Sequence, residues 1–351
     1  MRILHTAANL IHLTTLTTIT VARPGQRYIE HENDYTELEE MKNVFGGIGT
    51  FAHLPHVQCV KNASAEFDIA FFGFPFDTGW LRPGARFGPT GIREGSRRRT
   101  LVGGYNIPQA VNPLDNWATV VDCGDAFITP YDNAAALSQM QRAYERVLYR
   151  SPVDLSRGKY LRIISLGGDH TITLPILRAL KSNHCLIAAA PLLISTTVLI
   201  FYHASQEGLL VKGASVHGGI RTKLISLKDY EDDEEFGFRV IEARIIDDIG
   251  TKGIIEKIRQ IVGDNLVYLS IDIDTLDPAF APATGTPETG GWNTRGFRTI
   301  LQGLEGLKLI GADLVEVSPA YDTNAQVTSL AAADILFEVL SLMVRDPVYA
   351  N

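Results

Sequence analysis

The chain has 351 residues, 45% of them hydrophobic and 21% charged, a balance that supports a sizeable globular core and excludes a disordered or fibrous protein. Its formal net charge of −8 argues against a nucleic-acid partner, which needs a basic surface to neutralise phosphates, and suits a cationic small molecule. Three cysteines, Cys59, Cys123 and Cys185, are too few and too scattered for a disulfide framework or a cysteine-based zinc site, so they read as small buried hydrophobes.

Residues 1–22 contain no acidic side chain, begin Met1-Arg2 and run through an apolar, threonine-rich stretch to Val21-Ala22. Three readings are open: a secreted protein's signal peptide, a mitochondrial transit segment supported by Arg2, Arg23 and Arg27, or a cytoplasmic tail. Residues 23–65 read as an N-terminal extension. From residue 66 to 351 there is no repeat, linker or change of composition, which predicts a single domain.

Within that domain, short apolar runs alternate with longer amphipathic ones, the pattern of a mostly parallel sheet with helices on both faces. Strands are expected at 67–73, 119–123, 161–166, 214–220, 238–241, 266–273 and 309–317. Several are continuous β-branched or aromatic runs, as strands buried on both faces should be. Helices are expected at 133–148, 174–181, 247–262, 294–304 and 329–344. The apolar run 185–202 approaches the length of a membrane span, but Pro191 interrupts it and Ser195, Thr196 and Thr197 dilute it, so no membrane segment is assigned there.

Ligands of such sheets gather beyond the carboxyl ends of the strands, and three of those ends are polar here. Ile163 to Leu166 runs into Gly167-Gly168-Asp169-His170, Leu266 to Ile271 into Asp272-Ile273-Asp274, and Asp313 to Val317 carries Glu316. Two aspartates spaced by two on a strand point the same way and would repel if uncompensated. Divalent cations between them remove the conflict, because carboxylate oxygens suit hard ions such as manganese. Asp277, before Pro278, reads as a turn residue.

Gly167 to Pro175, Ser270 to Pro278, Ala281 to Glu288 and Glu316 to Asp322 together resemble the ureohydrolase (arginase/agmatinase) family, and the likeness extends from Phe67 to the C-terminus. Gly73 to Asp77 with Arg82 to Pro89 is similar to the agmatinase branch. The resemblance implies a three-layer α/β/α fold of the arginase/deacetylase-like type and a homo-oligomer. It implies two manganese ions, with His170 on one, Asp272 bridging both and Asp274 on the second, and Glu316 holding a substrate guanidinium. It further implies hydrolysis of agmatine or a related guanidino compound to urea and an amine such as putrescine by a manganese-activated hydroxide.

One segment departs from the family. The Asp-Ala-His-x-Asp motif that supplies the other three ligands is missing: residues 186–200 contain no Asp, Glu or His. Similarity resumes at Phe201 to Leu210, which looks like the helix after the missing loop. His203 lacks a carboxylate companion in sequence and reads as a surface or core histidine, and His217 as structural. Three readings stay open: a working agmatinase-like enzyme, a catalytically impaired relative acting as a binding or regulatory subunit, and a wrongly joined coding segment across 186–200.

Overall fold

The computed structural model describes residues 47–78, 82–100, 103–158, 160–183, 187–192, 198–223 and 226–348, with the backbone alone at 190–192 and 198–199. Residues 1–22, residues 23–46 of the extension and Cys185 lie outside this set. Eight strands form one sheet: β1 (Ile69–Phe74), β2 (Val120–Asp125), β3 (Arg162–Gly167), β4 (Ala188–Leu192), β5 (Ser215–Ile220), β6 (Phe238–Glu242), β7 (Leu266–Asp272) and β8 (Lys308–Val315). Their order is β2-β1-β3-β8-β7-β4-β5-β6, and each neighbouring pair is parallel.

The layers follow from strand periodicity, since successive side chains leave opposite faces. On β1, Ile69 and Phe71 enter one core while Ala70, Phe72 and Phe74 enter the other. On β7, Val267, Leu269 and Ile271 take the first side and Tyr268 the second. The first core is covered by α1 (Gly88–Ser96), α6 (Ile246–Val262), α7 (Thr294–Gln302) and α8 (Val327–Arg345); α2 (Asn133–Leu148), α3 (Thr173–Asn183) and α4 (Val198–Gln206) cover the second. A further short helix, α5 (Lys228–Glu235), leads into β6. The result is the expected three-layer α/β/α arrangement.

Local chemistry sets the element ends. Asp132 caps α2 by accepting from the Ala135 amide, and Asn293 caps α7 by accepting from the Gly296 amide. Helix α8 is long and apolar enough to cross a membrane, but most of it is buried in the first core, where its apolarity serves packing. The apolar run 185–202 is likewise divided between strand β4 and helix α4. Helices α1 and α5 were not anticipated. Helix α1 begins Gly88-Pro89 and has few large apolar residues, and α5 is mostly acidic, so neither carries a strong periodic signal.

Two of the three cysteines are not free buried thiols. Cys59 and Cys123 form a disulfide across 64 residues of chain, joining the segment before β1 to strand β2 at the sheet edge. Two cysteines suffice for one bridge when the fold brings their Cα atoms to 5.2 Å, and that proximity is invisible in their spacing. Closing a loop of this span is worth about 4 kcal/mol through the unfolded chain's lost entropy. Intact mass without reductant should therefore show the bridge, and reduction should lower the urea unfolding midpoint; unchanged stability on reduction would mean the bridge adds nothing.

Candidate active site

Strands β3, β8 and β7 are consecutive in the sheet, so their carboxyl-terminal tips meet. His170 stands just beyond β3 in a single 3-10 turn that opens α3. The chain can turn so tightly because Gly168 lacks a side chain: a Cβ there would lie 2.3 Å from the Phe76 carbonyl oxygen. Asp169 holds the turn, accepting from the Thr171 amide at 3.0 Å and from the amide and hydroxyl of Thr78 at 2.6 and 2.7 Å.

Asp272 ends β7, but Asp274 does not continue the strand as its spacing suggested. It lies in the 3-10 turn Ile273–Thr275, and its amide donates to Asp272 Oδ1 at 3.1 Å. Asp272 thus acts as the cap of the turn that swings Asp274 into place. Glu316 follows β8 with φ of 66°, a left-handed conformation that costs a non-glycine residue about 1 kcal/mol. Its amide donates to the Gly168 carbonyl at 2.9 Å, fixing this strained backbone against the β3 tip.

The four side chains predicted for the site converge. His170 Nδ1 lies 3.1 Å from Asp272 Oδ2, and Nε2 lies 2.8 Å from Ser270 Oγ. The His170 amide donates to Glu316 Oε1 at 2.8 Å. Thr286 Oγ1 donates to Asp274 Oδ2 at 2.9 Å, whereas Asp274 Oδ1 is buried without a partner. His170, Asp272 and Asp274 are each 1% exposed; Glu316 is partly exposed and is the one acid of the group open to an entering ligand. Asp277 accepts from the amides of Ala279, Gly290 and Gly291 and closes a loop.

Burial dominates the electrostatics. It pushes the His170 imidazolium down to about 4 and the Asp272 carboxyl up to about 7. Burial first, and then the Asp272 charge, hold Asp274 and Glu316 well above the usual carboxylate range. The nearby guanidinium of Arg221 is spent on the backbone carbonyls of Asp274, Leu276 and Glu288. Three carboxyl groups around a neutral imidazole can ionise together only beside an added positive charge.

Two carboxylates and an imidazole are the donor types a hard divalent cation takes, and Asp274 Oδ1 is unpartnered, but Asp272 and His170 are closed on each other. These donors do not suit two cations. Strand β4 lies beside β7 with Leu192 opposite Ile271, and no acid or histidine occurs from 186 to 200. Phe201 of α4 instead packs edge-on against the His170 ring at 5.5 Å. His203 is exposed on that helix, and His217 is buried in a structural pairing with Asp233 at 3.1 Å, stacked on Phe238. Among the described residues no group of three or more His, Cys, Asp or Glu is arranged to hold a metal ion.

Arg221, Phe201 and Asp313 join the site although the sequence marks none of them as a site residue: Phe201 figures there as the start of the helix after the missing loop and Asp313 as a residue within a strand. Asp313 alone had a local signal: an acid inside an otherwise apolar strand must find partners in the core. Arg221 reaches the site from a segment with no motif around it, and Phe201 from the first residue of the stretch where the family likeness resumes.

A family model described as "Arginase family" matches residues 67–341. The chain is 54% identical over 335 residues to "Putative agmatinase 1" of Schizosaccharomyces pombe, an alignment covering 88% of this chain and 85% of that protein. It is 38% identical over 312 residues to the guanidinobutyrase of Pseudomonas aeruginosa, covering 85% and 93% respectively. Among solved structures, proclavaminate amidino hydrolase of Streptomyces clavuligerus superposes with a TM-score of 0.75 at 34% identity, covering 86% of this chain and 99% of that one.

Proposed function

The chain belongs to the arginase family of hydrolases, and we propose that its site takes a small guanidino compound, agmatine or a near relative, and hydrolyses it to urea and an amine, putrescine when the substrate is agmatine. The observation that carries this reading is the meeting of the buried Asp272 and Asp274 with the partly exposed Glu316 beside a neutral His170. A guanidinium and a divalent cation are the positive charges such a cluster lacks.

His170, Asp272 and Asp274 would hold a single divalent ion, which we take to be manganese. Such an ion, when bound, supplies Lewis acidity that eases ionisation of water near neutral pH. The chain's own residues do the rest. Glu316 anchors the guanidinium through charge-assisted hydrogen bonds, its Oε1 oriented by the His170 amide. Burial of Asp272 and Asp274 excludes bulk water and strengthens the field at the reacting carbon.

The lack of donors after β4 favours a second reading, in which the chain binds a guanidino ligand but turns it over poorly and serves as the binding or regulatory member of an assembly. Metal analysis together with urea release from agmatine and 4-guanidinobutyrate separates the two. We expect no more than one manganese ion per chain and measurable urea. Two ions per chain would overturn the ligand assignment, and guanidino binding without urea would favour the second reading. Sequencing the transcript across residues 181–205 tests whether that segment is genuine.

The Cys59–Cys123 bridge supports maturation in an oxidising compartment, and the acid-free apolar residues 1–22 are consistent with a secretory route to it.

A further inference from the structure

The segment that leads into β1 carries a motif with chemistry of its own. Asn62-Ala63-Ser64 is the one Asn-x-Ser/Thr triplet in the chain, and it follows closely on Cys59. All three residues are exposed. Asn62 folds its own turn: its Oδ1 accepts from the Ser64 amide at 3.1 Å and from the Ser64 hydroxyl at 2.8 Å. A backbone amide can only donate, so the atom it meets is the carboxamide oxygen and the other end of the side chain is Nδ2. Nδ2 has no hydrogen-bond partner among the described residues. The turn is held from behind. The Gln58 carbonyl accepts from the amides of Lys61 and Asn62 at 3.0 and 2.8 Å, and the Arg150 guanidinium donates to the carbonyls of Cys59 and Ala65. The Cys59–Cys123 bridge ties its base to β2.

We propose that Asn62 is an N-glycosylation site, the acceptor of an oligosaccharide delivered from a lipid-linked diphosphate donor. Transfer joins Nδ2 to the anomeric carbon of the first sugar and breaks that carbon's bond to the diphosphate oxygen. The bonding pair leaves with the lipid diphosphate, and Nδ2 gives up one proton. An acceptor of this kind needs a hydroxyl two residues on, a surface position that tolerates a bulky polar group, and a carboxamide nitrogen free to react. Asn62 meets each requirement, and Ser64 supplies the contact that leaves Nδ2 as the free end. Chain order permits the reaction, because Cys59 waits for a partner 64 residues further on and Asn62 is made before the bridge can close. The inference rests on the secretory reading of residues 1–22, which the bridge supports independently of the triplet.

The test expresses the full chain, residues 1–22 included, in a eukaryotic secretory host and compares its migration on a denaturing gel before and after an amidase that releases N-linked glycans. The native chain should run as a slower form that collapses on digestion, and peptide mass spectrometry should find Asn62 converted to Asp by the release. Asn62→Gln and Ser64→Ala should each lose the slower form, while Ser64→Thr, which keeps a hydroxyl, should retain it. These changes fall on exposed side chains, so intact mass without reductant should show the Cys59–Cys123 bridge in every variant. A chain with the bridge formed and Asn62 unmodified overturns the proposal, as does a slower form that survives Ser64→Ala or disappears in Ser64→Thr. A native chain with reduced cysteines and no glycan overturns the secretory route instead. Replacing residues 1–22 with a proven secretion signal then decides the site itself: modification at Asn62 upholds it as an acceptor, and its absence overturns it.

Discussion

Replacing Asp272 with asparagine should abolish manganese binding and, in the same protein, raise the stability of the metal-free fold at pH 8. The two effects have one origin. Asp272 is 1% exposed and burial lifts its carboxyl to about 7, so above that pH the metal-free fold holds an ionised carboxylate with no cation beside it. Between the unfolded value near 4 and the folded value near 7, the native state binds more protons than the unfolded chain. The slope of stability with pH is then negative, so stability present at pH 4 is lost as pH rises through 7. A shift of this size corresponds to about 4 kcal/mol at most.

Asparagine keeps an oxygen for the Asp274 amide and offers an N–H toward His170 Nδ1, so the contacts survive while the titration disappears. Urea unfolding in EDTA at pH 5 and pH 8 measures the difference: the variant and the native chain should be close at pH 5 and separated by a few kcal/mol at pH 8. Manganese affinity of the variant should fall by more than about 100-fold, beyond the loss typical of residues that only support a ligand. A variant that binds manganese normally, or is less stable than the native chain at pH 8, removes Asp272 from the role assigned to it.

Glu316→Gln should weaken agmatine binding by roughly 10- to 100-fold, the value of a hydrogen bond to a charged group, while manganese affinity changes by less than a few-fold. Glutamine preserves the acceptor for the His170 amide and the same side-chain length, so the strained backbone at φ 66° keeps its anchor. Only the negative charge facing the ligand is removed. Calorimetric titration with agmatine and, separately, with manganese distinguishes the two sites. Equal loss of both would mean that Glu316 belongs to the cation's ligands, and loss of neither would place the guanidinium elsewhere.

These expectations differ in how far the chain's own letters lead to them. The parallel sheet was readable because buried strands must be apolar on both faces, and seven of its eight strands were expected, several of them as continuous β-branched or aromatic runs; the eighth, β4, sits in the segment whose ligand motif is gone and was not among them. His170, Asp272, Asp274 and Glu316 were nameable because polar residues at the ends of such runs have no packing role to explain them. Their joint position is a different kind of fact. It depends on β3, β8 and β7 being neighbours although they are far apart in the chain.

Hydrophobic periodicity is a local property, set by where a side chain points relative to the next one, and it determines which stretches become strands and which residues face a core. Strand order, the 5.2 Å approach of Cys59 to Cys123, the seating of Phe201 against His170 and the satisfaction of Asp313 by three hydroxyls are set by contacts between distant segments. Each forms because burial of apolar surface leaves one arrangement in which the enclosed polar groups also find partners, and that selection is made by the folded whole.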